Sequence, residues 1–261
     1  MRPAFPYSLL ATVAILAFLC AHLTHVLSRR TGLVDRPDAR KLHDGHIPMA
    51  GGPMVFVTFL IAAMLFDMPA LSLDGAVVWL ALLSVIFVVG LLDDYVHLPP
   101  ALRLFVQAIC GLMMPVMANV VLIDLRDLLG FGPILLGYLA IPLTALAFAG
   151  LVNAYNMIDG ADGLCASLAL LPLLVIAVLA WQGAHPAADT LFVIVTALAV
   201  FLLFNLSPGT WLRPKVFLGD SGSGLLGFVV CSVMVYFSQQ PQMLVKPVTC
   251  LWLVGVPLID M

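Results

Sequence analysis

The sequence predicts an all-α polytopic integral membrane protein, with about nine transmembrane helices and a site on the cytoplasmic face. Three observations predict the class. Of 261 residues, 63% are apolar and only 10% charged, against about 25% charged in a soluble domain. Mean hydropathy over the whole chain is +1.14. The apolar residues also fall into runs of the roughly 20 residues that a helix needs to cross a bilayer. These features exclude a soluble domain, a disordered chain and a secreted disulfide scaffold. A net charge of −3 argues for no nucleic-acid partner.

In order, the runs lie near 8–27, 50–68, 75–92, 101–118, 133–152, 164–182, 187–205, 222–238 and 243–259. The first is long, has little positive charge before it and is followed by Arg29 and Arg30, so it reads as a retained span rather than a cleaved signal. The fifth is the weakest, because Pro133, Gly137 and Pro142 interrupt it. No repeat is visible and no soluble domain fits in the gaps, so residues 1–261 read as one transmembrane domain. The five cysteines form no CxxC pair and lie mostly in apolar runs, where they read as small core residues. His22 and His25, inside the first run, read as packing residues.

Cationic residues orient the spans. With nine spans, Arg29, Arg30, Arg36, Arg40, Lys41, Arg103, Arg213 and Lys215 share one side, and Arg2, Arg126 and Lys246 the other. The richer side is the cytoplasm, which puts the N-terminus outside. All fourteen acidic residues are aspartates. Asp93, Asp94, Asp159, Asp162 and Asp220 fall on the inner side at the ends of spans. Asp67, Asp74, Asp124, Asp127 and Asp189 fall in outer loops and read as solvated charges.

Four segments carry chemistry. In GLLDD, Asp93 and Asp94 are adjacent, so on a helix they point about 100° apart and do not share one partner. Two neighbouring carboxylates at a membrane surface repel, and a bound cation relieves them. In NAYNMIDGADGL, Asn153, Asn156, Asp159 and Asp162 recur every third residue. They form one site only if the helix ends there, and Gly160 and Gly163 favour such a break. In KVFLGDSGSG, Asp220 opens a helix whose free N–H groups favour an anion, so the aspartate reads as a metal ligand that a phosphate then meets. The following glycines read as close helix packing rather than a dinucleotide fingerprint. The fourth segment is the basic loop DRPDARKLHDGHIPMAGG. There Arg40, Lys41 and His43 are candidate phosphate contacts, and Gly51 and Gly52 admit a close backbone approach. A polybasic loop also sets topology and touches anionic lipid without any further role.

Carboxylates converging on one face opposite a basic loop need a divalent cation before phosphates can enter. Magnesium suits oxygen ligands completed by substrate phosphates, and manganese is the alternative. Metal and phosphate at a membrane face point to phosphoryl transfer. A transporter is the rival reading, but transporters place polar residues near the midplane on repeated, broken helices.

Taken together, the segments DRPDARKLHDGHIPMAGG, GLLDD, NAYNMIDGADGL, KVFLGDSGS and VPLIDM resemble, in this order, the polyprenyl-phosphate N-acetylhexosamine-1-phosphate transferases. The N-acetylglucosamine branch is the best match, and the likeness covers essentially the whole chain. The resemblance implies that a UDP-N-acetylhexosamine gives its sugar-1-phosphate to undecaprenyl phosphate with magnesium, releasing UMP at the bacterial inner membrane. It opens the synthesis of a surface polysaccharide. By the family pattern Asp220 is the main metal ligand, joined by Asp94 and Asp159. Asp93 and Asp94 lie at the metal and lipid phosphate, with one of them the proposed base, and Asp159 belongs to the catalytic set. Asn153, Asn156, Asp162 and Asn205 fall on the nucleotide-sugar side, and Arg103 lies near the phosphates. A homodimer is open. Family members continue past the VPLIDM-like segment into a histidine-rich HxHH loop and further spans. The resemblance therefore also implies a chain shortened before that loop, weakly active or inactive alone, as a fragment or a regulatory paralogue would be.

Overall fold

In the computed structural model, the described residues are 4–35, 45–66, 68, 75–128, 130–240 and 243–261. They are mostly helical. The order is α1 (Tyr7–Thr31), a two-residue antiparallel pair β1 (Val34–Asp35) and β2 (Ile47–Pro48), α2 (Gly51–Leu65), α3 (Ala76–Val96) and α4 (Pro100–Met117). Then come α5 (Ala140–Ile158), α6 (Leu164–Gln182), α7 (Ala188–Asn205), α8 (Gly219–Gln239), α9 (Pro247–Leu253) and α10 (Gly255–Asp260).

Among the described residues, seven helices are long and apolar enough to cross a bilayer. The sequence reading has nine spans, and the two others differ for local reasons. The run at 50–68 gives α2, a helix of 15 residues. The run at 243–259 is divided at Val254 into helices of 7 and 6 residues. There Pro257 lacks a backbone N–H, and its ring crowds the carbonyl one turn back, at Leu253. The fifth run forms a helix later than its apolar residues begin. Residues 123–128 and 130–136 lie in a looped excursion held by bonds such as Leu136 N–H to Ile123 C=O, and a 3₁₀ turn at Gly137–Leu139 leads into α5. Pro142 then sits in the first turn, where no N–H is needed, and α5 continues to Ile158.

The core is built around α8. In its 18-residue apolar window 94% of the residues are buried, with α2, α3, α5 and α6 packed on it. Lipid tails give no hydrophobic drive between spans, so close backbone approach through small residues takes over. A Cβ on Gly52 of α2 would lie 2.5 Å from the Gly222 nitrogen of α8. One on Gly227 would lie 2.7 Å from the Val152 Cα of α5. The glycine run in α8 thus serves helix packing, as the sequence reading has it. All five cysteines are free and buried. His22 packs against Phe18 and Phe204 and meets the Phe18 carbonyl at 3.0 Å.

Chain alternation brings the C-terminal ends of α1, α3, α5 and α7 to the same end of the bundle as the N-terminal ends of α2, α4, α6 and α8. The expected polar segments lie at this end.

Candidate active site

Asp93 and Asp94, in the last turn of α3, part as adjacent helical residues must. Asp93 accepts the Leu98 N–H at 2.6 Å and forms an ion pair with Arg103 of α4. Asp94 turns to α8, where it accepts the N–H of Asp220 at 2.7 Å and of Ser221 at 3.1 Å. It thereby caps two orphan donors of the helix N-terminus and places a negative charge against the positive end of the dipole. Gly219 makes this capping fit. Its φ is +76°, and a Cβ there would meet an Asp94 carboxylate oxygen at 2.8 Å. Two of the free N–H groups foreseen for a phosphate at this helix start are thus already bonded to Asp94.

With its backbone fixed, Asp220 presents its side chain to the cluster. Its Oδ1 accepts the Asn156 amide at 2.7 Å, and its Oδ2 lies 3.7 Å from the Arg103 guanidinium, beyond a hydrogen bond. Asn156 also donates to the Ser223 hydroxyl at 3.2 Å.

The four polar residues of the α5–α6 segment divide. The helix does end there, at Ile158, and Gly163 in the left-handed region starts α6. Asn156 joins Asp220. Asp159 follows the last helical residue and is half-buried. Burial, then the charges of Asp220, Asp94 and Asp162, push its carboxyl up to about 7. Asp162 is exposed and pairs with Lys215 at 2.5 Å. Asn153 lies a turn before Asn156, its amide 3.4 Å from the Met157 sulfur.

Asn205 plays a part the sequence did not show. It is 4% exposed, its Oδ1 accepts the Gly163 N–H at 2.6 Å, and its Nδ2 donates to the Val216 carbonyl at 2.8 Å. The side chain ties the start of α6 to the segment that enters α8.

Arg40, Lys41 and His43 lie outside the described residues. The stem of their loop is described, and it is tied to the cluster. Strand β2 passes the Pro48 carbonyl to the Phe217 N–H, and the N–H groups of Gly51 and Gly52 bond to Phe217 and Leu218. The close approach admitted by the two glycines is thus made to the start of α8.

Between α3, α4, α5 and α8 lies a small open cleft. Asp93, Arg103, Gln107, Asn156 and Asp220 line it, above apolar walls from Ile86, Val89 and Val152. Gln107 escaped the sequence reading. Its signal was there: a carboxamide in an apolar span, four residues after Arg103 and so on the same helix face.

The donors here are carboxylate and amide oxygens. Among the described residues no three His, Cys, Asp or Glu side chains are grouped to hold a metal by themselves. That excludes a closed structural zinc cage from the described residues and fits a cation held by one or two carboxylates and completed by substrate phosphates.

The model of one family, described as glycosyl transferase family 4, matches residues 76–238, from the first residue of α3 to the last turn of α8. The chain belongs to that family. The matched region of this family 4 protein contains every candidate residue above except those of the basic loop. Over 255 residues it is 32% identical to the undecaprenyl-phosphate alpha-N-acetylglucosaminyl 1-phosphate transferase of Escherichia coli strain K12, covering 97% of this chain and 68% of that protein. The protein of the same name from Haemophilus influenzae is 35% identical over 246 residues, 94% of this chain and 68% of its own length.

Proposed function

We propose that this protein transfers N-acetylglucosamine-1-phosphate from its UDP-sugar to undecaprenyl phosphate, with UMP as the other product. The names of the relatives support the acceptor and the transferred group. The observation that carries the site is the meeting of Asp93, Arg103, Asn156 and Asp220, from four helices, in one cleft.

In this reading an oxygen of the lipid phosphate attacks the β-phosphorus of the nucleotide sugar. The new P–O bond gives a sugar–diphospho–lipid, and the bond to the oxygen bridging the two nucleotide phosphates breaks, so that oxygen leaves with UMP. A phosphate monoester has its second pKa near ~6, so the acceptor is largely dianionic at neutral pH and attacks without a covalent aspartyl intermediate. Asp220, with Asp93 across the cleft, would hold the magnesium, for which manganese could substitute, and Asp159 would add to the negative field around it. When bound, the ion offsets the carboxylates and the phosphate charge that gathers in the transition state. Asp94 positions Asp220 through its backbone rather than adding a free oxygen. Arg103 is drawn from Asp93 toward the incoming phosphates, where a planar guanidinium binds two oxygens at once. Asn156 keeps Asp220 from swinging away. The α5–α6 turn and Asn205 shape the side where the nucleotide enters, with Asp162 and Asn153 at its rim.

The cytoplasm is the side proposed for this site. Among the described residues Arg29, Arg30, Arg103, Arg213 and Lys215 lie at the site end, and Arg126 and Lys246 at the far end. The N-terminus then faces the periplasm of a bacterial inner membrane, α2 and the α9–α10 pair complete about nine crossings, and the lipid product starts a surface polysaccharide.

The test is release of UMP from UDP-N-acetylglucosamine by the purified protein with undecaprenyl phosphate in detergent. Release that requires both the lipid and a divalent cation supports the reading. Release without lipid, or a lipid that gains no sugar phosphate, overturns it.

A further inference from the structure

Gln107 is the polar group in the cleft that the reaction above leaves unused. It lies on the inward stripe of α4, with Arg103 one turn before it and Cys110, Gly111 and Met114 beyond it. The opposite face of α4, with Leu104, Phe105 and Ile109, is exposed. Its Oε1 is sealed from solvent and has no hydrogen-bond partner among the described residues. A buried amide oxygen left unpartnered is costly, and this one belongs to a side chain in the wall of the cleft, where a bound group can complete the bonding of the carboxamide. Rotating the carboxamide exchanges oxygen for nitrogen, so the group presents either an acceptor or a donor at that point.

Its depth selects the ligand. Four residues along a helix carry Gln107 about 6 Å further into the span than Arg103. The neighbouring walls at that level are Ile86, Val89 and Val152. A nucleotide sugar is mostly polar and carries no long apolar stem to run along such a wall. A polyprenyl phosphate has an anionic head on an apolar stem, and the junction of the two requires this sequence of surroundings: cationic, then neutral polar, then apolar. A neutral donor is also what that depth tolerates, since an ionised side chain there is far more costly to desolvate.

We propose that Gln107 binds the phosphate head of the polyprenyl acceptor from the bilayer side, its Nε2 donating to an oxygen at the junction of phosphate and prenyl chain. This rests on the reading that the protein takes a polyprenyl phosphate. It makes the residue a determinant of acceptor binding, with no part in binding the nucleotide sugar.

The experiment compares the wild-type protein with Gln107→Leu and Gln107→Glu, in detergent with magnesium. Two things are measured: melting temperature with and without undecaprenyl phosphate, and KM for each substrate. Leucine removes an amide whose buried oxygen lacks a partner, so the ligand-free melting temperature of Gln107→Leu stays equal or rises. The stabilisation given by undecaprenyl phosphate is lost, and KM for the lipid rises tenfold or more while KM for UDP-N-acetylglucosamine changes less than twofold. Gln107→Glu, which faces the phosphate with a second anion, weakens the lipid at least as much. Equal rises in both KM values, a lower ligand-free melting temperature of Gln107→Leu, or a lipid KM within twofold of wild type in either variant overturns the proposal. Should the wild type transfer no sugar phosphate, the proposed reaction falls, and the lipid-induced melting shift decides Gln107 by itself. Its absence in the wild type, or its retention in Gln107→Leu, overturns the assignment.

Discussion

Asp94 holds Asp220 by the backbone and leaves its side chain free to act: the carboxylate of one accepts the N–H of the other at 2.7 Å, and that of Ser221 at 3.1 Å. Two aspartates that look alike in sequence therefore do different work. Asp94→Ala strands two backbone donors at the start of a buried helix, at a cost of about 1–3 kcal/mol each. It is expected to lower the melting temperature by several degrees and to reduce transfer with it. Asp220→Ala removes no backbone partner and takes a negative charge from beside Asp93. It is expected to melt like the wild type while losing transfer by at least a hundredfold. Thermal unfolding and UMP release measured on both variants check this contrast.

Asp159 gives the metal-free protein a pH dependence of stability. An aspartate in an unfolded chain titrates near ~3.9, and burial with the charges of Asp220, Asp94 and Asp162 brings this one to about 7. Between those values the folded protein holds a proton that the unfolded chain has lost. Stability contributed by the raised pKa is full below the unfolded value and is lost as pH rises through about 7. Melting temperatures taken from about pH 4 to about pH 8 in chelator are expected to fall, and less steeply in Asp159→Asn. An unchanged slope in that variant would refute the assignment.

The contact of α2 with α8 tolerates no added atom. Gly52→Ala puts a methyl group 2.5 Å from the Gly222 nitrogen, a backbone atom that cannot swing aside. Overpacking of this kind costs about 1–3 kcal/mol, and here it also displaces the start of α8 that carries Asp220. Gly150→Ala, in α5, meets nothing within 4 Å and gains about 0.5–1 kcal/mol of helix propensity. The first is expected to melt lower and transfer poorly, the second to melt at or above the wild type with its activity kept.

Asn205 and Lys215 both join the segment before α8 to the α5–α6 turn, with unequal weight. Asn205→Ala leaves the buried Gly163 N–H and Val216 carbonyl unpaired, a loss of about 2 kcal/mol or more. Lys215→Ala breaks an ion pair with exposed Asp162, worth about 0–1 kcal/mol and screened by salt. Melts at low and high salt are expected to show a large, salt-independent effect for the first and a small, salt-sensitive one for the second.

The long helices are legible in the sequence because each buries or greases an uninterrupted apolar run, and α3, α6 and α7 begin and end close to where those runs do. Two prolines mislead, though Pro115 and Pro172 lie inside α4 and α6 and leave the bounds of both helices legible. Pro142 looked like an interruption and is part of a helix start, and Pro257 looked like part of a span and divides one. The polar site was legible as a set, since carboxylates and amides at one end of several spans have few other uses. The division of labour within it was not. A side chain that bonds backbone from a distant segment, as Asp94 and Asn205 do, reads in one dimension like a ligand-binding group. Gln107 was hidden for the opposite reason: a single uncharged amide barely lowers the hydropathy of the span that carries it.

The burial of α8 also bears on how the protein is made. This helix has almost no lipid-facing surface, yet it is synthesised after the four helices that enclose it. The glycine-lined faces of α2 and α3 therefore gain their packing partner only when α8 has been made. Docking this helix and assembling the aspartate cluster are one event, because the first turn of the arriving helix brings Asp220 to Asp94.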